Sequence, residues 1–166
     1  MLTDRGIEAN PDKCRAIMEM QSPTNVKEVQ RLTGRIAALQ RFLSCAADRA
    51  KPFFNCHKKN DNFMWTKECE QASTDLKVFL AAPPILTKPK PGIPLVLYLS
   101  VTDSSISLVL VQEEGKVQKP IYYVSRSLHG AEGRYRKLEK VALAMIMSAR
   151  KLRPYFQSYQ IIVKTD

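Results

Sequence analysis

The chain has 166 residues, with 26 Lys and Arg against 16 Asp and Glu, a formal charge of +10 at pH 7. Hydrophobic residues at 45% and charged residues at 25% are the proportions of a globular protein, and the length excludes a chain too small to bury a core. No apolar run is long enough to span a membrane, and neither end carries a targeting signal, so an intracellular protein, cytoplasmic or nuclear, is expected.

The basic excess is spread through the chain, with 15 basic and 10 acidic residues up to Gly92 and 11 and 6 after it. It therefore belongs to the folded body and not to a tail. That suits a polyanionic partner such as nucleic acid, and equally a protein that is merely basic. Cys14, Cys45, Cys56 and Cys69 have no paired short spacing, and the adjacent Cys56-His57 lacks a second pair to complete a tetrahedral zinc site. Reduced thiols are expected. His57 and His129 stand alone in polar loops and read as surface residues.

In chain order, Asn10-Pro11 is a cap followed by a first-turn proline and predicts a short helix to about Met20, broken by Ser22-Pro23. A second helix starts near Asn25, with Glu28 as a capping-box partner and Val26, Val29, Leu32, Ile36 and Leu39 at helical spacing. Gly34 lies inside it, at a cost of about 1 kcal/mol relative to alanine, and indicates close helix packing or close approach of a ligand. Packing is the commoner reason. A third helix spans residues 66–81, with Thr66 as cap and Cys69, Ala72, Leu76, Phe79 and Leu80 in one stripe, and Pro83-Pro84 ends it. Residues 87–92, rich in proline and charge, form the best linker candidate.

After Gly92 the apolar period changes from helical to alternating. Residues 95–100, 106–112 and 117–124 read as three hairpin-linked strands, with turns at 102–105 and 114–116. A helix follows at 132–152, stopped by Pro154, and residues 160–165 form a fourth strand free to lie parallel to the first after the helical crossover. The fold class is α/β, or mixed α+β.

Several segments in order carry a family resemblance. Gly6-Ile-Glu-Ala-Asn-Pro-Asp-Lys13, Val26-Lys-Glu-Val-Gln-Arg-Leu-Thr-Gly-Arg35 with Phe42, and Phe63-Met-Trp-Thr66 with Leu76-Lys77 and Pro83-Pro84 resemble the route from palm into thumb in gypsy-type LTR-retrotransposon reverse transcriptases. Lys119-Pro-Ile-Tyr-Tyr-Val-Ser-Arg-Ser-Leu128, then Glu132, Tyr135, Leu138-Glu139 and Val163-Lys-Thr-Asp166, resemble the ribonuclease H domain that follows. The resemblance implies a helical thumb-like region at 1–86, a linker at 87–92 and a ribonuclease H-like domain at 93–166, truncated at its C-terminus. It implies as partners an RNA–DNA hybrid or other nucleic acid and the remainder of the polyprotein, with no membrane. The chain reads as a fragment. No Asp-Asp pair occurs, so the polymerase site is absent from it.

Family chemistry hydrolyses the RNA strand with two divalent cations about 3.5–4 Å apart, held by carboxylates on the first strand, first helix and fourth strand. The resemblance assigns the last two to Glu139 and Asp166, as catalytic residues and ligands for Mg2+ or Mn2+. Aligned without gaps, the first falls on Ser100, a poor ligand for a hard cation. Asp103 takes its place only if three residues of the turn are deleted. Activity is therefore expected to be weak or absent, which leaves two alternatives: a non-catalytic nucleic-acid-binding module or a domesticated protein-interaction remnant. Judged by spacing alone, Glu139 shares a face with Tyr135, Ala142 and Ile146 at the border of the apolar stripe, either as a ligand or paired with Arg136. Candidate phosphate contacts are Arg31, Arg35 and Arg41 on the second helix and its end, and Arg126, Arg134, Arg136, Lys137 and Lys140 around the third strand and helix entry.

Overall fold

The computed structural model describes residues 1–56 and 62–165. His57 and Asp166 lie outside the described residues. A short hairpin, β1 (Leu2–Thr3) and β2 (Gly6–Ile7), precedes α1 (Pro11–Met18), α2 (Val26–Leu39), a 3-10 turn (Gln40–Phe42), α3 (Ala46–Asn55) and α4 (Lys67–Ala81). Among the described residues, no helix is long and apolar enough to cross a membrane.

Side-chain caps set where most of these helices begin. Asn10 accepts from the backbone N–H groups of Asp12 and Lys13, with Pro11 in the first turn. Asn25 accepts from the Glu28 N–H at 3.0 Å, and Thr66 from that of Cys69 at 3.2 Å. The capping box of α2 is displaced by one residue, since the Glu28 carboxylate receives the Thr24 N–H at 2.7 Å and the Thr24 hydroxyl at 3.0 Å. One apolar cluster joins these helices, with Ile17, Leu32, Leu39, Phe53, Leu76 and Leu80 nearly inaccessible. The rings of Phe53 and Trp65 stack at 5.7 Å.

The sheet comprises β3 (Leu95–Val101), β4 (Ser105–Glu114), β5 (Val117–Ser127) and β6 (Ile161–Thr165) in the order β5-β4-β3-β6. β3, β4 and β5 are antiparallel, and β6 runs parallel to β3 with Leu97 opposite Val163 and Leu99 opposite Thr165. Between β5 and β6 come a 3-10 turn (Gly130–Arg134), α5 (Lys137–Lys151) and α6 (Arg153–Ser158). The sequence placed the helix at 132–152, stopped by Pro154, and the end agrees with α5 while the start does not. In the structure Glu132 belongs to the 3-10 turn, and Pro154 sits in the first turn of α6, where its missing N–H costs nothing.

Leu95, Leu97, Leu108, Leu110 and Ile121 turn one face of the sheet towards Leu152 and the apolar side of α5 and α6. The other face meets α3 along one end. The Ser105 hydroxyl donates to the Asp48 carboxylate at 2.7 Å, Lys51 donates to Ser104 at 3.0 Å, and the Ala47 N–H donates to Ser125 at 3.0 Å. The segment 87–92 is tied to the sheet as well. Thr87 N–H donates to the Pro120 carbonyl at 2.8 Å, and Lys90 and Gln112 bond to each other in both directions.

Candidate nucleic-acid interface and carboxylate site

Cross-strand register builds the end of the sheet where the carboxylates were expected. Ser100 on β3 stands opposite Ser107 on β4, and Ser107 opposite Ser125 on β5, giving a row of hydroxyls across three strands. The Ser107 and Ser125 oxygens are 3.1 Å apart. On the same face Tyr98 donates to Glu113 at 2.8 Å and accepts from Gln118 at 2.8 Å and Lys164 at 3.3 Å. The Tyr98 hydroxyl, then the Gln118 amide, hold Glu113 below the ordinary carboxylate range, and Tyr98 and Glu113 hold Lys164 above its own. This face lines a cleft of about 420 Å³ with Ser44, Tyr98, Ser100, Val109, Tyr123 and Lys164 on its walls.

Glu139 occupies the first turn of α5, exposed to solvent, with its carboxylate accepting the Arg136 backbone N–H at 2.7 Å. The link to Arg136 read from spacing is therefore made through the backbone. The helix phase differs from the sequence reading. Glu139, Ala142 and Ile146 form the solvent side, with Ile146 53% exposed, whereas Lys140, Ala144 and Ser148 are buried against the sheet. The physical reason is that a lysine stem fills apolar space as well as a leucine when its ammonium finds an acceptor. Lys140, 5% exposed, donates to the Asp103 carbonyl at 3.1 Å and lies 4.0 Å from its carboxylate.

Ser100 thus offers a neutral hydroxyl on the face of the sheet away from α5. On the α5 side the Glu139 carboxylate points outward and Lys140 is buried, so these positions do not converge on one pocket. Among the described residues no group of three or more His, Cys, Asp or Glu is close enough to hold a metal ion. These donors do not fit a pair of hard divalent cations, which require clustered carboxylate oxygen and not an ammonium beside them.

The basic candidates divide by partner. Arg35 turns inward and donates to the Ala16 carbonyl at 2.6 Å, with Met20 sulfur at 3.6 Å, so it ties α2 to α1. Arg126 gives one nitrogen to both Glu132 oxygens at 2.8 and 2.9 Å. Arg31, Arg134, Arg136 and Lys137 are exposed. Gly34 also faces outward, and a Cβ built there meets nothing within 4 Å. Helix packing, the commoner explanation of this glycine, does not account for it. Gln30, Arg31, Gly34 and Ala38 share with Lys13 of α1 an open groove of about 480 Å³.

The family described as an RNase H-like domain found in reverse transcriptase matches residues 65–163. The chain belongs to this family. It is 34% identical over its whole length to the Pol polyprotein of transposon opus from Drosophila melanogaster and 30% identical to that of transposon 297. It is 25% identical, over 95% of its length, to the Tf2-3 polyprotein of Schizosaccharomyces pombe. These alignments cover 18%, 15% and 12% of the respective polyproteins, so the chain spans less than a fifth of its relatives. Its fold is that of the foamy viral protease-reverse transcriptase, with a TM-score of 0.78 and 22% identity over 99% of this chain and 29% of that one, in a dRH form bound to double-stranded DNA. The same viral protein bound to an RNA/DNA hybrid superposes with a TM-score of 0.77, over 99% of this chain and 22% of that one. The gypsy-type retrotransposon resemblance, and the ribonuclease H-like sheet with its fourth strand parallel to its first, both hold.

Proposed function

We propose that this chain is a nucleic-acid-holding segment of a retrotransposon reverse transcriptase, which grips an RNA–DNA hybrid through its backbone and has lost most or all hydrolysis of the RNA strand. The observation that carries the loss of chemistry is that the expected ligand positions do not converge: Ser100 offers a neutral oxygen on the sheet face away from α5, Glu139 faces water, and the inward position next to it on α5 is Lys140. A buried ammonium raises the electrostatic cost of bringing divalent cations close by. Gly34 on the bare face of α2 supports the holding role, because a helix keeps an exposed glycine at a propensity cost where another surface approaches its backbone closely. The charge of +10 and the relatives' standing as Pol polyproteins support the class of partner. The rest of the polyprotein is the second proposed partner, and Leu138, Ile146 and Ile162 are among the exposed apolar groups available to it.

Incubating the chain with a labelled RNA–DNA hybrid in Mg2+ or Mn2+ tests this. The hybrid should be bound with no sequence preference and remain intact. Robust cleavage that disappears in Glu139→Gln would overturn the loss of chemistry and restore Glu139 and Asp166 as working ligands.

A further inference from the structure

A second basic cleft, of about 320 Å³, lies along β5, which forms one edge of the described sheet. Its walls come from three separate parts of the chain: Gln40 and Arg41 after α2, Tyr122 and Arg126 on β5, and Met147 and Lys151 on α5. No Asp or Glu lines it. Glu132, outside its lining, engages one nitrogen of Arg126. The Arg41 guanidinium lies over the Tyr122 ring at 4.5 Å. Its Nε is buried without a hydrogen-bond partner among the described residues. Buried donors without a partner are rare.

Lys27, Arg31, Gly34 and Ala38 follow one another at intervals of four, three and four residues, the spacing of a single exposed face of α2. Arg41, partly buried, comes three residues on in the 3-10 turn after the helix has ended. From Arg31 to Arg41 the rise is roughly 15 Å, about four base steps along one nucleic-acid strand. A small free anion would gain nothing from that continuity, whereas a phosphodiester backbone reaches both places.

We propose that the Arg41–Arg126–Lys151 cleft is a phosphate-binding site for the nucleic-acid backbone, filled by the strand that lies along the exposed face of α2. This rests on the nucleic-acid-holding role proposed above. It adds Lys151 to the binding surface, places Arg41 in a defined cleft and gives Arg126 a task beyond its ion pair with Glu132.

The test measures affinity of the full chain for a short RNA–DNA hybrid as a function of salt, in the unchanged protein and in Lys151→Gln, Arg41→Gln/Lys151→Gln and Arg31→Gln. Each lost phosphate contact should lower the steepness of log K against log salt by about one, so Lys151→Gln loses about one and the double variant about two. Lys151 is exposed, so its substitution reports on the cleft even where the Arg41 change disturbs folding. A slope unchanged in Lys151→Gln and in the double variant, but reduced in Arg31→Gln, would overturn the cleft and leave the holding role standing. Absence of hybrid binding by the unchanged protein at about 50 mM salt would overturn both.

Discussion

Gly34 and Lys140 carry most of the functional argument, and each breaks a local rule. A glycine inside an exposed helix face destabilises it, and a buried lysine costs free energy unless its ammonium is paired. Gly34→Ala places a methyl group in open space, so it should raise stability by up to about 1 kcal/mol. The same methyl group should weaken hybrid binding by standing between the α2 backbone and the ligand. Chemical denaturation together with a binding titration separates the two effects. Higher stability with unchanged affinity would remove Gly34 from the interface.

Lys140 shows why the phase of α5 was not legible. Val141, Leu143, Ala144, Met145 and Met147 allow apolar stripes only one residue apart, and spacing alone does not choose between placing 139 or 140 inward. The choice is made by the Asp103 carbonyl, 37 residues away in sequence. Arg35 behaves in the same way, since its acceptor at Ala16 belongs to another helix.

Among elements, those that begin with a local signal were readable and those held by distant contacts were not. α1, α2 and α4 start at Asn10, Asn25 and Thr66, each bonded to backbone within three residues. α3 has no such sign. It begins at Cys45 in the left-handed region with φ of 53°, has no side-chain cap, and contains Pro52. Its bonds to Ser104, Ser105 and Ser125 keep it in place, and no local pattern announces them.

The junction of α3 and α4 buries Cys56 against Cys69, with 2.9 Å between the sulfurs. Burial, reinforced by the hydrogen bond to Cys69, pushes the Cys56 thiol up to about 12. Cys14 is also raised by burial, while Cys45 is exposed. Because the thiolate is the reactive form, a thiol reagent at neutral pH should modify Cys45 promptly and the other three cysteines only after denaturation. Prompt modification of Cys56 or Cys69 in the native protein would show that this junction is open.

For the whole molecule, acid stability follows from carboxylates spread over both parts of the chain. Glu28 is lowered by the Thr24 N–H, Glu70 by the Ser22 hydroxyl, Glu113 by the Tyr98 hydroxyl, Glu114 by Lys119 and Glu132 by Arg126. A carboxylate whose folded pKa lies below its unfolded value stabilises the fold above the unfolded value. That contribution fades as pH falls through the folded one. The unfolding temperature should therefore be level near neutrality and decline once pH drops below the ordinary glutamate value of 4.5. An unfolding temperature that stays level between about pH 6 and pH 3 would contradict these contacts.

The order of strands was readable because alternation and turn residues are local, and the parallel placement of β6 follows from the helical crossover. The way the helical region meets the sheet was not, since it depends on shape and on the few hydroxyl and amide contacts of α3. The most direct check on the whole account follows the fluorescence anisotropy of a labelled RNA–DNA hybrid over time, with the chain and Mg2+ present, at several salt concentrations. The anisotropy should rise and stay high, with affinity falling linearly in log salt at a slope of several units. A signal that rises and then decays as the RNA strand is cut, or one that never rises at low salt, would contradict this expectation.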